Sequence, residues 1–226
     1  MNLSQLKLLG MCTTFVGLSA CVSLSDLQYS AEPIEAWIVD GATGKPLEGA
    51  IVVAHWQLTR GSLGGGEAPV GSMMVMETVT DVDGRFTFPG WGPLPNQTEG
   101  RLTNRDPTMY AFKSNYDVVE LRNNTWENKP SRRKSDWNGK KIAVRPFDGN
   151  QKGYADRLTV WSHSIDSNLK WGRNCNFRKT PLLADALDRE DARLRAFGFV
   201  GGFSFASFPP QHLAKCGIVR EGRTVQ

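Results

Sequence analysis

Apolar positions fall into two regimes along the chain. From residue 34 to about 146 they come as short runs of period two, broken by turn residues. Residues 34–39 read as a short strand, closed by the dense turn signal Asp40-Gly41-Ala42-Thr43-Gly44-Lys45-Pro46. The strongest strand covers 50–58, where Val52, Ala54, Trp56 and Leu58 share one face. Residues 60–72 carry Gly61, Gly64, Gly65, Gly66 and Gly71 and read as a mobile loop. Runs at 73–82 and 85–88 flank Asp83-Gly84, a hairpin signal because a type I′ turn needs positive φ at both central residues. That register opposes Val79 to Phe88 and Asp81 to Phe86, with both Phe on one face. Residues 89–107 read as loop. Strands follow at 108–113 and 117–121, separated by Asn115-Tyr116, and a last one at 142–146 after the polar, basic stretch 123–141.

Beyond residue 150 the period lengthens. Tyr154, Leu158, Trp161, Ile165 and Leu169 recur every three or four positions, the spacing of an amphipathic helix. A second helix is expected over 182–197, with Leu183, Ala186, Leu187, Leu194 and Phe197 on one side. Thr180 is placed to cap it, Pro181 suits its first turn, and Gly198 stops it. Each helix has one apolar face, so both are expected to cover the strands or each other rather than cross a membrane. The apolar, Gly-containing segment 199–208 reads as a loop packed beneath them. The pattern predicts a mainly β chain, a β-sandwich over 32–150 with a helical C-terminal extension over 151–226.

The first twenty residues follow neither pattern. Lys7 is the only charged side chain before Asp26, and an apolar run from Leu8 to Leu18 follows it, too short to span a bilayer. The run ends in Leu18-Ser19-Ala20-Cys21, which resembles the bacterial lipobox: an aliphatic residue, two small residues, then the Cys that is lipidated. The resemblance implies a signal peptide over 1–20, acylation of Cys21 and a polar tether over 21–31. Val22-Ser23 lacks the Asp that resembles an inner-membrane retention signal, so the expected address is the outer membrane.

Composition sharpens this picture. Four cysteines are present. Cys12 leaves with the signal and Cys21 carries lipid, so Cys175 and Cys216 remain, with one possible pairing in an oxidising compartment. The alternative is a metal or catalytic thiol, but neither Cys has a CxxC partner. Lys and Arg outnumber Asp and Glu by 27 to 23, too small an excess to imply nucleic acid. Seven Trp and eleven Phe suffice for a real core.

Thr43-Gly44-Lys45-Pro46-Leu47-Glu48-Gly49-Ala50, followed about thirty residues on by Thr80-Asp81-Val82-Asp83-Gly84-Arg85-Phe86, resembles the carboxypeptidase regulatory-like domain. That resemblance implies a transthyretin-like (Ig-like), seven-stranded sandwich acting as an accessory or recognition piece. The family's usual Gly-Tyr is replaced by Asn115-Tyr116, and Asn tolerates the left-handed conformation best among non-glycine residues. The resemblance covers residues 32–121 and specifies a fold better than a function.

Catalytic signatures are sparse. A zinc peptidase of that kind uses His-x-x-Glu, and neither His55, His163 nor His212 begins one. The Tyr-Arg-Gly-Ser ending of hydroxyisourate hydrolases, a nucleophile elbow and a phosphate loop are all missing. Asp81 and Asp83 suit turn formation better than calcium. No cofactor or metal is expected. The basic stretch carries Lys129, Arg132, Arg133, Lys134, Lys140, Lys141 and Arg145 with Trp126 and Trp137 interleaved, and Asp136 as its one carboxylate. Arg132, Arg133, Lys134, Lys140 and Lys141 form a candidate surface for anionic headgroups or acidic glycans. The leading expectation is a lipid-anchored envelope module that binds or assembles with another envelope protein without catalysis. The alternatives are a small hydrolase using His163 or His212 with Asp166 or Asp185, and a purely structural lipoprotein.

Overall fold

The computed structural model describes residues 28–96, 98–103, 105–124, 131–169, 175–199 and 214–217. Cys21, Trp126, Lys129 and His212 lie outside them, as does the segment expected to pack under the helices beyond Phe199. The strands are β1 (Gln28–Ala31), β2 (Ile34–Asp40), β3 (Ile51–Gly61), β4 (Glu67–Val79), β5 (Arg85–Phe88) and β6 (Trp91–Pro95). Then come β7 (Arg101–Leu102), β8 (Thr108–Phe112), β9 (Val119–Leu121), β10 (Arg132–Arg133) and β11 (Lys141–Val144). Helices α1 (Gln151–Leu169) and α2 (Pro181–Ala196) follow, joined through a short 3₁₀ helix at Asn176–Lys179. No helix among the described residues is long and apolar enough to cross a membrane.

One sheet runs β4-β3-β8-β9, with β7 pairing the far end of β3. Facing it are two three-stranded sheets, β11-β2-β5 and β10-β1-β6, joined where β1 passes into β2. Val52, Ala54, Trp56 and Leu58 of β3 point into the core these sheets enclose, against Ile34, Ile38, Phe86, Phe88 and Trp91. Trp56 and Trp91 meet edge to face at 5.5 Å. The intervening Ile51 and Val53 face the other way, onto Leu158, Ile165, Leu187 and Leu194 of the helices. Strand β3 is therefore buried on both faces, which is why its sequence is a nearly continuous apolar run. The chain is a mainly β sandwich whose helical extension covers the outer face of one sheet.

Cys175 and Cys216 are bonded, with Cα atoms 5.5 Å apart across a separation of 41 residues. A loop of that size is worth about 4 kcal/mol in the chain-entropy account.

The two stretches that carry the family resemblance meet in space. Thr80 Oγ1 accepts from the Ala50 amide (2.8 Å) and donates to the Leu47 carbonyl (2.6 Å). Asp81 accepts from the amides of Asp83 and Arg85, as a turn-forming residue should. Gly84 has φ +70° and sits so close to the Ile38 carbonyl that a Cβ would lie 2.3 Å from it, so no other residue fits. Asn115 is left-handed, with φ 65°. The next residue, Tyr116, donates its hydroxyl to Asp40 (2.8 Å), which holds that carboxyl below its ordinary range.

Four expectations need correction. The Asp81–Gly84 turn forms, but β5 crosses to the other sheet and pairs with β2 (Ile34↔Phe88, Ala36↔Phe86) rather than folding back on β4. Both Phe still share a face, because crossing buries them in the central core. Residues 60–72 are not a loop: β3 and β4 continue through them to a turn at residues 62–66, since ladder pairing needs backbone, not side chains. Residues 89–107 hold β6 and β7, whose prolines and glycines mask their pairing. Finally, β1 begins at Gln28 inside the expected tether, so the sandwich starts earlier than residue 32.

Candidate functional site

The interface between the outer sheet face and the helices gathers several buried polar groups, His55 and Asn176 among them. Period two on β3 places His55 and Gln57 on the helix side with Val53, and across the β3–β4 ladder Ser72 and Glu77 join them. His55 Nε2 lies 2.8 Å from Ser72 Oγ. Asn176 Nδ2 donates to the same hydroxyl (3.2 Å) and to the Leu169 carbonyl, while Gln57 donates to the Asn168 carbonyl (2.7 Å). The Asn176–Ser72 and Gln57–Asn168 bonds tie the sandwich to the chain around the end of α1.

A His–Ser pair invites a nucleophilic reading, but the electrostatics oppose it. Burial, reinforced by the charge of Lys179, pushes His55 down to about 3. An imidazole that weakly basic is a poor general base at neutral pH. Its Nδ1 is buried and, among the described residues, meets no hydrogen-bond partner, so no carboxylate orients the ring. The pair is structural, and Asn176 ties its Ser72 to the helical layer. Nothing in the sequence signals the pair, because Ser72 lies in a glycine-rich stretch without strand periodicity.

Glu77 is the other missed residue. Its carboxylate accepts from the amides of Leu182 (2.8 Å) and Leu183 (2.6 Å), the first turn of α2. Thr180 flanks that helix, as expected, yet its side chain makes no capping bond. Its hydroxyl turns back to the Phe177 carbonyl, and a carboxylate from another layer takes its place. Pro181 at the helix start and Gly198 at its end, with φ +84°, fall as expected. Burial raises Glu77 above the ordinary carboxylate range, while the two amides hold it down. Glu77→Ala should lower stability by about 1–2 kcal/mol in urea denaturation, the usual worth of a cap plus a helix-dipole contribution. Glu77→Gln should retain part of that, and a neutral alanine variant would show that the cap is dispensable. Beside Glu77 an open groove of about 660 Å³ runs between β4 and β5, lined by Val75, Met76, Phe88, Lys179 and Leu182.

Within the basic stretch, Arg133 alone of the five expected contact residues is buried. Arg133 is 2% exposed. Its guanidinium lies over the Tyr29 ring, donates to the Leu102 carbonyl (3.0 Å) and approaches Asp106 at 4.0 Å. This corrects its expected surface role: pairing of β10 with β1 points alternate side chains inward, and a cation flanked by apolar strands must keep polar partners, here the Leu102 carbonyl and the Asp106 carboxyl. Arg132 and Lys134 stay exposed, but both pair with Glu32, at 2.9 and 3.4 Å. Lys140 lies over the Trp137 ring, and Lys141 is exposed at the start of β11.

Of the expected catalytic partners, His212 lies outside the described residues. His163 is exposed on α1, and Asp185 is exposed and pairs with Arg189 in the next turn of α2. Among the described residues, no cluster of three His, Cys, Asp or Glu side chains could hold a metal.

No family model matches the chain, and neither does any curated protein. Among solved structures, a streptococcal ancillary pilin is similar over 54% of this chain and 31% of its own, at 15% identity and a TM-score of 0.26. The 3-chlorocatechol 1,2-dioxygenase of Rhodococcus opacus 1CP is similar over 54% of this chain and 62% of its own, at 14% identity and a TM-score of 0.31. The C-terminal domain of the shaft pilin SpaA of Lactobacillus rhamnosus GG is covered completely by 54% of this chain, at 15% identity and a TM-score of 0.25. The chain thus spans less than two thirds of the pilin and the dioxygenase. At these scores none of the three carries an argument about this chain's activity.

Proposed function

We propose that this chain is a lipid-anchored protein of the bacterial cell envelope whose sandwich acts as a non-catalytic binding or assembly module. The observation that carries the reading is the Leu18-Ser19-Ala20-Cys21 motif at the end of a short apolar run. The Cys175–Cys216 bond supports it, because such bonds persist in the oxidising compartments to which a signal peptide leads. The contact between Thr80 and the 47–50 segment, with left-handed Asn115 before Tyr116, supports the resemblance to the carboxypeptidase regulatory-like domain, whose members serve as accessory pieces. A non-catalytic role is favoured by the His55–Ser72 pair being too weak a base and locked into the packing. Val22-Ser23 favours the outer membrane.

Cells fed labelled palmitate should incorporate it into the wild-type chain and not into Cys21→Ala, which should also retain its signal peptide. Label that persists in the alanine variant would overturn the anchor. Cross-linking in intact cells followed by capture should then recover an envelope protein, and a chain that captures none under any cross-linker would favour a purely structural role.

A further inference from the structure

We infer that the tip of the β3–β4 hairpin is a second membrane contact, with Leu63 entering the headgroup region of the same bilayer that holds the acylated Cys21. The inference rests on the proposed lipid anchor and deepens it by naming the face turned to the membrane.

The geometry begins at the terminus. Gln28 opens β1 and pairs with Pro95 at the end of β6. The chain then makes a tight loop in which Asn96 Nδ2 donates to the Gly100 carbonyl, and Gly100 packs against Leu58 and Val70. Next, Arg101 and Leu102 pair with Thr59 and Leu58. The start of the fold therefore lies at the end of the sandwich where β3 and β4 leave the core. From Leu58 the hairpin runs three more residues to Gly61, about 10 Å at strand spacing, before it turns. Only six residues separate Cys21 from Gln28, a reach of about 24 Å at full extension. A lipid at Cys21 therefore keeps this end of the sandwich near enough to the bilayer for the hairpin tip to reach it.

The tip is built for an interface rather than for water. Its turn closes on itself, Ser62 N–H donating to the Gly66 carbonyl and Gly65 N–H to the Ser62 carbonyl, both at 3.0 Å. Gly65 and Gly66 take φ +83° and +81°, so the apex presents almost no side chain except Leu63, which is fully exposed. Backbone groups already bonded to each other lose less on leaving water. Leu94, opposite Tyr29 at the same end, is also exposed. Behind the tip, Arg60 pairs with Glu99 and Arg101 with Glu67, so the shank presents balanced charge and long stems suited to the headgroup layer. The opposite end of β4 leads to the Asp81–Gly84 turn and exposed Val82, which should stay in water.

The test uses the mature acylated chain. With Cys21 acylated and Cys175 bonded to Cys216, Leu63→Cys supplies a unique thiol for an environment-sensitive fluorophore, and Val82→Cys is the control at the far end. In vesicles of phosphatidylethanolamine and phosphatidylglycerol, the label at 63 should shift to the blue, brighten several-fold and be quenched by doxyl-labelled lipid. The label at 82 should do none of these. A label at 63 as water-exposed as that at 82 overturns the inference. So does shielding that appears without vesicles and grows with protein concentration, which would mark a contact between copies of the chain. Vesicle flotation reads the anchor separately. Should flotation fail, a hexahistidine placed ahead of Val22 and held by nickel-chelating lipid supplies the tether, and the same two labels decide the hairpin.

Discussion

Leu158→Ala should destabilise the whole protein by about 2–5 kcal/mol, the cost of emptying a fully buried leucine site. Leu158 is 0% exposed, at the centre of the cluster that joins α1 to Ile51, Val53, Tyr110 and Phe112 of the sheet. The helical extension contributes nearly all the cover on that sheet face, so truncation should shift one urea transition, read identically by far-UV circular dichroism and Trp fluorescence. Leu182→Ala, on the half-exposed start of α2, should change stability by less than about 1 kcal/mol. If Leu158→Ala instead splits the transition and leaves the sandwich unaffected, the helices are a separate folding unit and the layered description is wrong.

Stability should also fall as pH rises from 6.5 to 8, because of Asp106. This carboxyl is 2% exposed, and burial pushes it up to about 8 against the opposing pull of Arg133, the Gln57 amide and the Thr103 hydroxyl. A folded-state value above the unfolded one means that the native state holds a proton the unfolded chain has released. Its contribution is complete below about 4 and is lost as pH climbs through 8, at up to about 1.4 kcal/mol per pH unit. His55 has the opposite sign: pushed down to about 3, it stays neutral in the fold while the unfolded chain takes a proton below 6.5. The two slopes cancel between about 4 and 6.5. Above 6.5 Asp106 acts alone, and stability should fall by about 2 kcal/mol on reaching pH 8. Asp106→Asn should abolish that fall and expose the rise below 6.5 due to His55. A parent protein whose urea midpoint is constant from 6.5 to 8 would show that Asp106 is ionised against Arg133 throughout.

Arg133 and Asp106 mark the boundary of what sequence could reveal. Arg133 was read as one of a run of surface cations because local charge density is visible in sequence and burial is not. Its partners come from β1, β7 and the turn before β8, far apart along the chain. Ser72 and His55 are 17 residues apart on strands whose pairing the glycines conceal in the sequence. Glu77 meets α2 more than a hundred residues away, so no capping box could have announced it. The exposed Leu63 gained meaning only when β6, the Asn96–Gly100 loop and β3 placed the hairpin beside Gln28.

What the amino-acid order determined by itself is local and periodic. Alternation on β3 set which residues face which layer, the three- and four-residue spacing set α1 and α2, and the lone pair of leftover cysteines anticipated the bond at 175 and 216. Gly84 and Asn115 declared backbone conformations that few other residues adopt. Tertiary structure decided partnership: that β5 joins β2 rather than β4, that a glutamate caps a distant helix, and that Arg133 turns inward. The physical reason is range. Propensity, periodicity and turn chemistry act over a few residues, whereas pairing between strands and the burial of charge depend on which surfaces meet once the whole chain has collapsed.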